Sequence, residues 1–156
     1  MASYFRKNRN VEISTLYYLE QQLGTDWSGV TLVKTFKQVY SKDVDAPIVC
    51  VRLASTNSER REIGSTTLEE RYLIIVDVFA KSDGQQLDLA YYIKDKLKDG
   101  WVHYDHTQSG GSLSRTANGR NFVTEFITDE HVNLDNADEK KDRHRHNISV
   151  LVRQSD

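Results

Sequence analysis

The run Arg71-Tyr72-Leu73-Ile74-Ile75-Val76-Asp77-Val78-Phe79-Ala80 constrains this chain more than any other segment. Tyr72, Ile74, Val76 and Val78 fall on one side of an extended backbone, and Leu73, Ile75 and Phe79 fall on the other, with Asp77 among them. A strand that is apolar on both sides belongs in the middle of a sheet, with both faces covered. The rest of the chain must therefore supply neighbouring strands and the layers that lie over them.

Upstream, Ile13, Leu16, Tyr17, Leu19 and Leu23 recur at spacings of three and four. That period predicts a helix over residues 11–23, with Asn10 placed to cap its start and Gly24 its end. Asp26-Trp27-Ser28-Gly29 reads as a turn, and Thr31-Leu32-Val33-Lys34-Thr35-Phe36 as a short strand. Pro47, the only proline, precedes a strand over residues 48–53, where a missing N–H is tolerated. Residues 57–70 are polar around Gly64 and form a loop or an extended hairpin tip. Downstream, Leu87, Ala90, Ile93 and Leu97 make one stripe of a second helix that ends at Gly100. A strand over 101–106 follows, then a polar stretch, 107–121, containing Gly110-Gly111 and Asn118-Gly119, which suits a long loop or a projecting hairpin. Residues 121–128 and 144–152 complete the strands. This order predicts an α+β fold: a mixed, mostly antiparallel β-sheet packed by two α-helices, with a long hairpin or loop. One domain, 1–156, with a short N-terminal arm, is expected.

Charged residues make up 28% of the chain, yet the formal charge is only −2, because acids and bases interleave. Tight phosphate binding by one copy needs a concentrated basic face, which this pattern does not provide. A ring of copies can still present a repeated Arg or Lys to DNA. The single cysteine, Cys50, sits in Ile48-Val49-Cys50-Val51, which excludes an intrachain disulfide and a Cys-rich metal site. Its ordinary reading is a buried thiol that fills core space, in keeping with a reducing cytoplasm. No segment approaches the roughly 20 apolar residues that cross a bilayer, and the start lacks the apolar stretch of a signal peptide. Neither export by that route nor a membrane location is expected.

Histidines offer the sharpest route to chemistry. His103 and His106 lie close in sequence, and His144 and His146 alternate on one face of the last strand, with Asp105 or Asp142 able to add oxygen. A metal-dependent enzyme using His144 and His146 is one reading. Against it, His103 and His106 point to opposite faces of a regular strand, and the helix-borne metalloprotease pattern is missing. Asp77 with Glu139-Lys140-Lys141 fits a nuclease only loosely, because the charge run 135–145 reads more simply as an exposed turn. No nucleophile elbow or phosphate-cradling loop occurs. The sequence thus assigns no catalytic residue, no cofactor and no metal. Its candidate contacts are Arg60, Arg61 and Glu62 in the first polar segment and Arg115 and Arg120 in the second, since arginine forks suit carboxylates or phosphates of a partner. Arg6, Lys7 and Arg9 form a basic N-terminal stretch able to reach a neighbouring chain.

Taken in order, these segments resemble the tail terminator or tail-completion proteins of long-tailed bacteriophages. The resemblance rests on Leu16-Tyr17-Tyr18-Leu19, on Pro47-Ile48-Val49-Cys50-Val51-Arg52-Leu53, on the polar segment reaching Gly64, on the strand from Tyr72 to Phe79, and on the helix from Leu87 to Leu97. It closes with Asp142-Arg143-His144-Arg145-His146-Asn147-Ile148-Ser149-Val150 and so covers most of the chain. The order and lengths carry it rather than any one motif. It implies a structural virion protein whose copies form a ring, typically of six, at the tail-to-head junction, assembled in the host cytoplasm. Such a ring caps the tail tube, stops its polymerisation and offers the surface that docks on the head. Its partners would be itself, the tail-tube protein and a head-to-tail connector or stopper protein, with DNA passing through the lumen without specific binding. A head-side connector or head-completion protein of the neck is the nearest rival. The family transfers no catalytic residue, and the 107–121 stretch exceeds what a minimal domain of this kind needs.

Overall fold

The computed structural model describes residues 2–64, 66–132 and 143–155. Along the chain these form β1 (Ala2–Tyr4), α1 (Lys7–Asp26), β2 (Thr31–Val33), α2 (Phe36–Val39), β3 (Ile48–Arg60) and β4 (Leu68–Phe79). There follow α3 (Asp83–Lys98), β5 (Trp101–Ser109), β6 (Ser112–Val132) and β7 (Arg145–Ser155). The strands make one sheet in the order β1-β5-β6-β7-β4-β3-β2, parallel between β2 and β3 and antiparallel elsewhere. The expected α+β class and mostly antiparallel sheet are what the chain adopts.

β4 is central, flanked by β3 and β7. Its Tyr72, Ile74, Val76 and Val78 are wholly buried against Leu19 and Leu23 of α1 and Leu89, Ile93 and Leu97 of α3. The opposite face is covered only at one end. There Ile48, Cys50 and Phe79 lie under Val33, Val39 and Phe36 of the β2–α2 segment, while Leu73 and Ile75 are half-buried. The expectation that β4 is covered on both sides is thus met along half its length. Burial is also the main reason the Cys50 thiol is pushed up to about 11, with the nearby Asp77 carboxylate adding to it. Such a thiol carries almost no thiolate at neutral pH.

Several features differ from the sequence reading for identifiable reasons. α1 starts at Lys7 with Arg6 as its N-cap, and Asn10 lies inside the helix. Its Oδ1 accepts both the backbone N–H and the Nδ1 of His106, at 3.1 and 3.0 Å. The helix also runs through Gly24 to Asp26. The N-terminal stretch is not a detached arm, because β1 pairs with β5 and Arg9 stacks on the Phe5 ring. α2 is a third helix absent from the sequence reading, started by a reciprocal capping box between Thr35 and Gln38. In α3 the buried stripe is Gln86, Leu89, Ala90, Ile93 and Leu97, and Leu87 faces outward at 60% exposure.

Both polar stretches are hairpins. Residues 57–70 extend the β3–β4 ladder to Arg60↔Leu68, and residues 107–121 belong to the β5–β6 ladder, closed at Ser109↔Ser112 by Gly110-Gly111. Gly110 sits at φ 60°, the conformation a two-residue turn of this kind demands. Because β3, β5 and β7 run in the same direction, both turns emerge at the end of the sheet where β7 stops, at Ser155 opposite Arg120.

Candidate functional site

The two-hairpin end gathers the sequence-nominated contacts. Arg60 closes β3, and Arg61 and Glu62 occupy the turn beyond it, all exposed, with the neighbouring Ile63 fully in solvent. Arg115 and Arg120 lie on β6, on the other hairpin. The guanidinium of Arg115 stacks over the Tyr17 ring at 4.2 Å, and an Arg120 Nη2 donates to the Asp99 carbonyl at 3.3 Å. These two arginines are therefore held by α1 and by the α3–β5 turn, so their positions are set before any partner arrives. Arg71 pairs with Glu69 at 3.7 Å at the base of the first hairpin, and Arg153 of β7 reaches the same carboxylate at 3.0 Å.

β6 changes partner halfway. Its first part pairs with β5 up to Asn121, and its second part pairs with β7 from Arg120 to Val132. Among the described residues, no strand pairs with the other edge of either part. Residues 112–121 carry Arg115 and Arg120 and no acid, whereas residues 122–132 carry Glu125, Asp129 and Glu130 and no Lys or Arg. Bulges at Thr124 and Ile127 shift the register of the acidic part against β7. Beside that part, α3 and β6 enclose a groove of about 640 Å³ lined by Leu87, Ala90, Tyr91 and Phe126, with Lys94, Asp129 and His146 at its polar end.

The histidines form two clusters. A register shift between Val102 and Tyr104 breaks the strand alternation in β5, so His103 and His106 line one cavity of about 420 Å³ instead of parting to opposite faces. Both are buried. Each is held at Nδ1 by an amide oxygen, His103 by Asn121 and His106 by Asn10, both at 3.0 Å. Asp105 approaches His103 Nε2 at 3.5 Å, and His106 Nε2 is buried without a partner. Loss of hydration lowers both pKa values, so each ring is held neutral.

His144 and His146 do not converge on one point. His144, just ahead of β7, places Nδ1 2.7 Å from Asp83 Oδ1, while His146 places Nε2 2.6 Å from Asp129 Oδ1. Asp129 also accepts from Lys94 at 2.9 Å. Burial raises its pKa, but the bonds from His146 and Lys94 outweigh this and keep it below the ordinary carboxylate range. His146 faces His131 across the β6–β7 ladder, and Gln86 of α3 reaches both rings. The sequence reading missed Gln86 and His131, since nothing but the fold brings a glutamine on α3 between two strands. Asp77 is wholly buried and accepts from Asn147 at 2.9 Å and Arg145 at 3.2 Å, as a structural anchor does. Asp142 and Glu139-Lys140-Lys141 lie outside the described residues. Among the described residues, no three His, Cys, Asp or Glu side chains are placed to share a metal, and no helix is long and apolar enough to cross a membrane. No family model matches this chain, and no curated protein matches its sequence.

Proposed function

We propose that this protein is a structural ring subunit of a long-tailed bacteriophage, placed at the tail-to-head junction, where it caps the tail tube and ends its growth. The observation that carries the reading is the pair of exposed, arginine-bearing hairpins at one end of a sheet that has one face packed by α1 and α3. An end of this kind supplies many small polar contacts, and a ring multiplies them on a tube of matching symmetry. The division of β6 supports association between copies. Contact between like halves of two copies sets Arg against Arg or acid against acid, whereas contact between unlike halves pairs opposite charges. Unlike-half contact arises both about a two-fold axis and head-to-tail, and the proposed ring takes the head-to-tail arrangement.

Co-sedimentation separates this reading from a head-side connector. The protein should pellet with preassembled tail tubes when no head-side protein is present. Pelleting with the adaptor and not with tubes would move the protein to the other side of the joint.

A further inference from the structure

β6 leaves two stretches of backbone open on one side. Residues 112–117 pair with β5 and residues 122–132 pair with β7. Among the described residues, the β7 side of the first stretch and the β5 side of the second have no strand beside them. An open edge presents a row of N–H and C=O groups to which another strand can be added. The second edge also borders the α3–β6 groove, where Leu87 and Tyr91 are exposed beside Phe126. Strand addition at such a place draws affinity from the backbone and specificity from alternate side chains that enter the groove. The first stretch carries side chains of that kind. Leu113 and Arg115, two residues apart, share one face of the strand, and Arg115 stacks on Tyr17 of α1. Because α1 and α3 cover the same face of the sheet, the exposed Leu113 lies on the face to which the groove belongs.

We infer that residues 112–117 of one copy add as a strand to the open edge of residues 122–132 in a second copy, with Leu113 entering the second copy's α3–β6 groove. Charge selects a second copy as the occupant. The entering stretch brings Arg115 and no acid, and the receiving stretch holds Glu125, Asp129 and Glu130 and no Lys or Arg. Either stretch set against its own counterpart would place like charges side by side. The edges then fix the symmetry. They lie on opposite sides of β6, whereas a two-fold axis running between two paired strands brings the same side of each together. With the helices of both copies on one face, as Leu113 in the groove requires, the joined strands run parallel. Each copy gives one edge and receives at the other, so the contact is head-to-tail. This pairing rests on the ring reading, whose subunit contact it supplies.

The test is oxidative cross-linking of concentrated full-length protein carrying Leu87→Cys and Leu113→Cys, both at exposed positions, while the native Cys50 is buried. The double variant should give a ladder of disulfide-linked oligomers, each single variant should stay monomeric, and an equal mixture of the two single variants should stop at dimers. In the unsubstituted protein, amide hydrogen exchange over residues 112–117 and 122–132 should slow as concentration rises, and Leu113→Asp should remove that protection. A double variant that stops at dimers would reveal a two-fold contact and overturn the inference, as would exchange that does not change with concentration. Capped tail tubes without the ladder would overturn this pairing alone. Bare tubes together with no ladder would overturn both the pairing and the ring reading.

Discussion

Asp77 shows how much one buried charge decides. It interrupts the most apolar strand of the chain, yet it is wholly buried beneath Arg145 and Asn147, so its charge is matched inside the protein. Asp77→Ala removes the carboxylate and leaves a desolvated guanidinium behind, which should lower unfolding stability by about 3 kcal/mol in urea titrations. The sequence disclosed the position, an acid within an apolar run, but not its partners, which arrive from β7 some seventy residues later. His103 and His106 were legible as residues and misjudged as geometry, because the bulge that turns both toward one cavity follows from pairing with β6. Their folded pKa values lie below the unfolded value of roughly 6.5, so the unfolded chain binds protons first as pH falls. Stability is therefore fully present above about pH 6.5 and declines below it, by up to about 1.4 kcal/mol per pH unit for each histidine. Urea midpoints between pH 7.5 and 5 should show this fall, and His106→Gln should flatten it.

At the scale of elements, legibility followed the physics that forms each one. α3 and β4 carry their own signals, a helical stripe and an apolar run, and both were read within a few residues. α1 hides Asn10 and Ser14 against β5, where Ser14 exchanges hydrogen bonds with the Tyr104 backbone, so part of its buried face looks polar. β6 was the least legible. Its first half is polar and exposed and is a strand only because β5 pairs with it, so no alternation marks it. What was visible was the turn, Gly110-Gly111. The α3–β5 connection has a stricter glycine requirement at Gly100, which has φ 75° and where an added Cβ would lie 2.8 Å from the Asn121 carbonyl oxygen. Gly100→Ala should destabilise by more than about 1 kcal/mol, since both the backbone conformation and the contact oppose it, and chemical denaturation reads the loss directly.

The whole molecule combines a well-packed layer of two helices on a sheet with an outer end given over to polar hairpins. Nominating Arg60, Arg61, Glu62, Arg115 and Arg120 from composition identified two hairpins without revealing that they leave the same end of the sheet, a consequence of strand direction alone. Ile63, fully exposed at one tip, makes no folding contact to lose. Ile63→Ser should change stability by less than about 0.5 kcal/mol while weakening attachment to tubes, a separation that melting and co-sedimentation together report. The most direct test of the proposed role is electron microscopy of tail-tube subunits polymerising with increasing amounts of this protein. The account predicts tubes that shorten with dose and carry a ring at one end. Bare ends with an unchanged length distribution would contradict it.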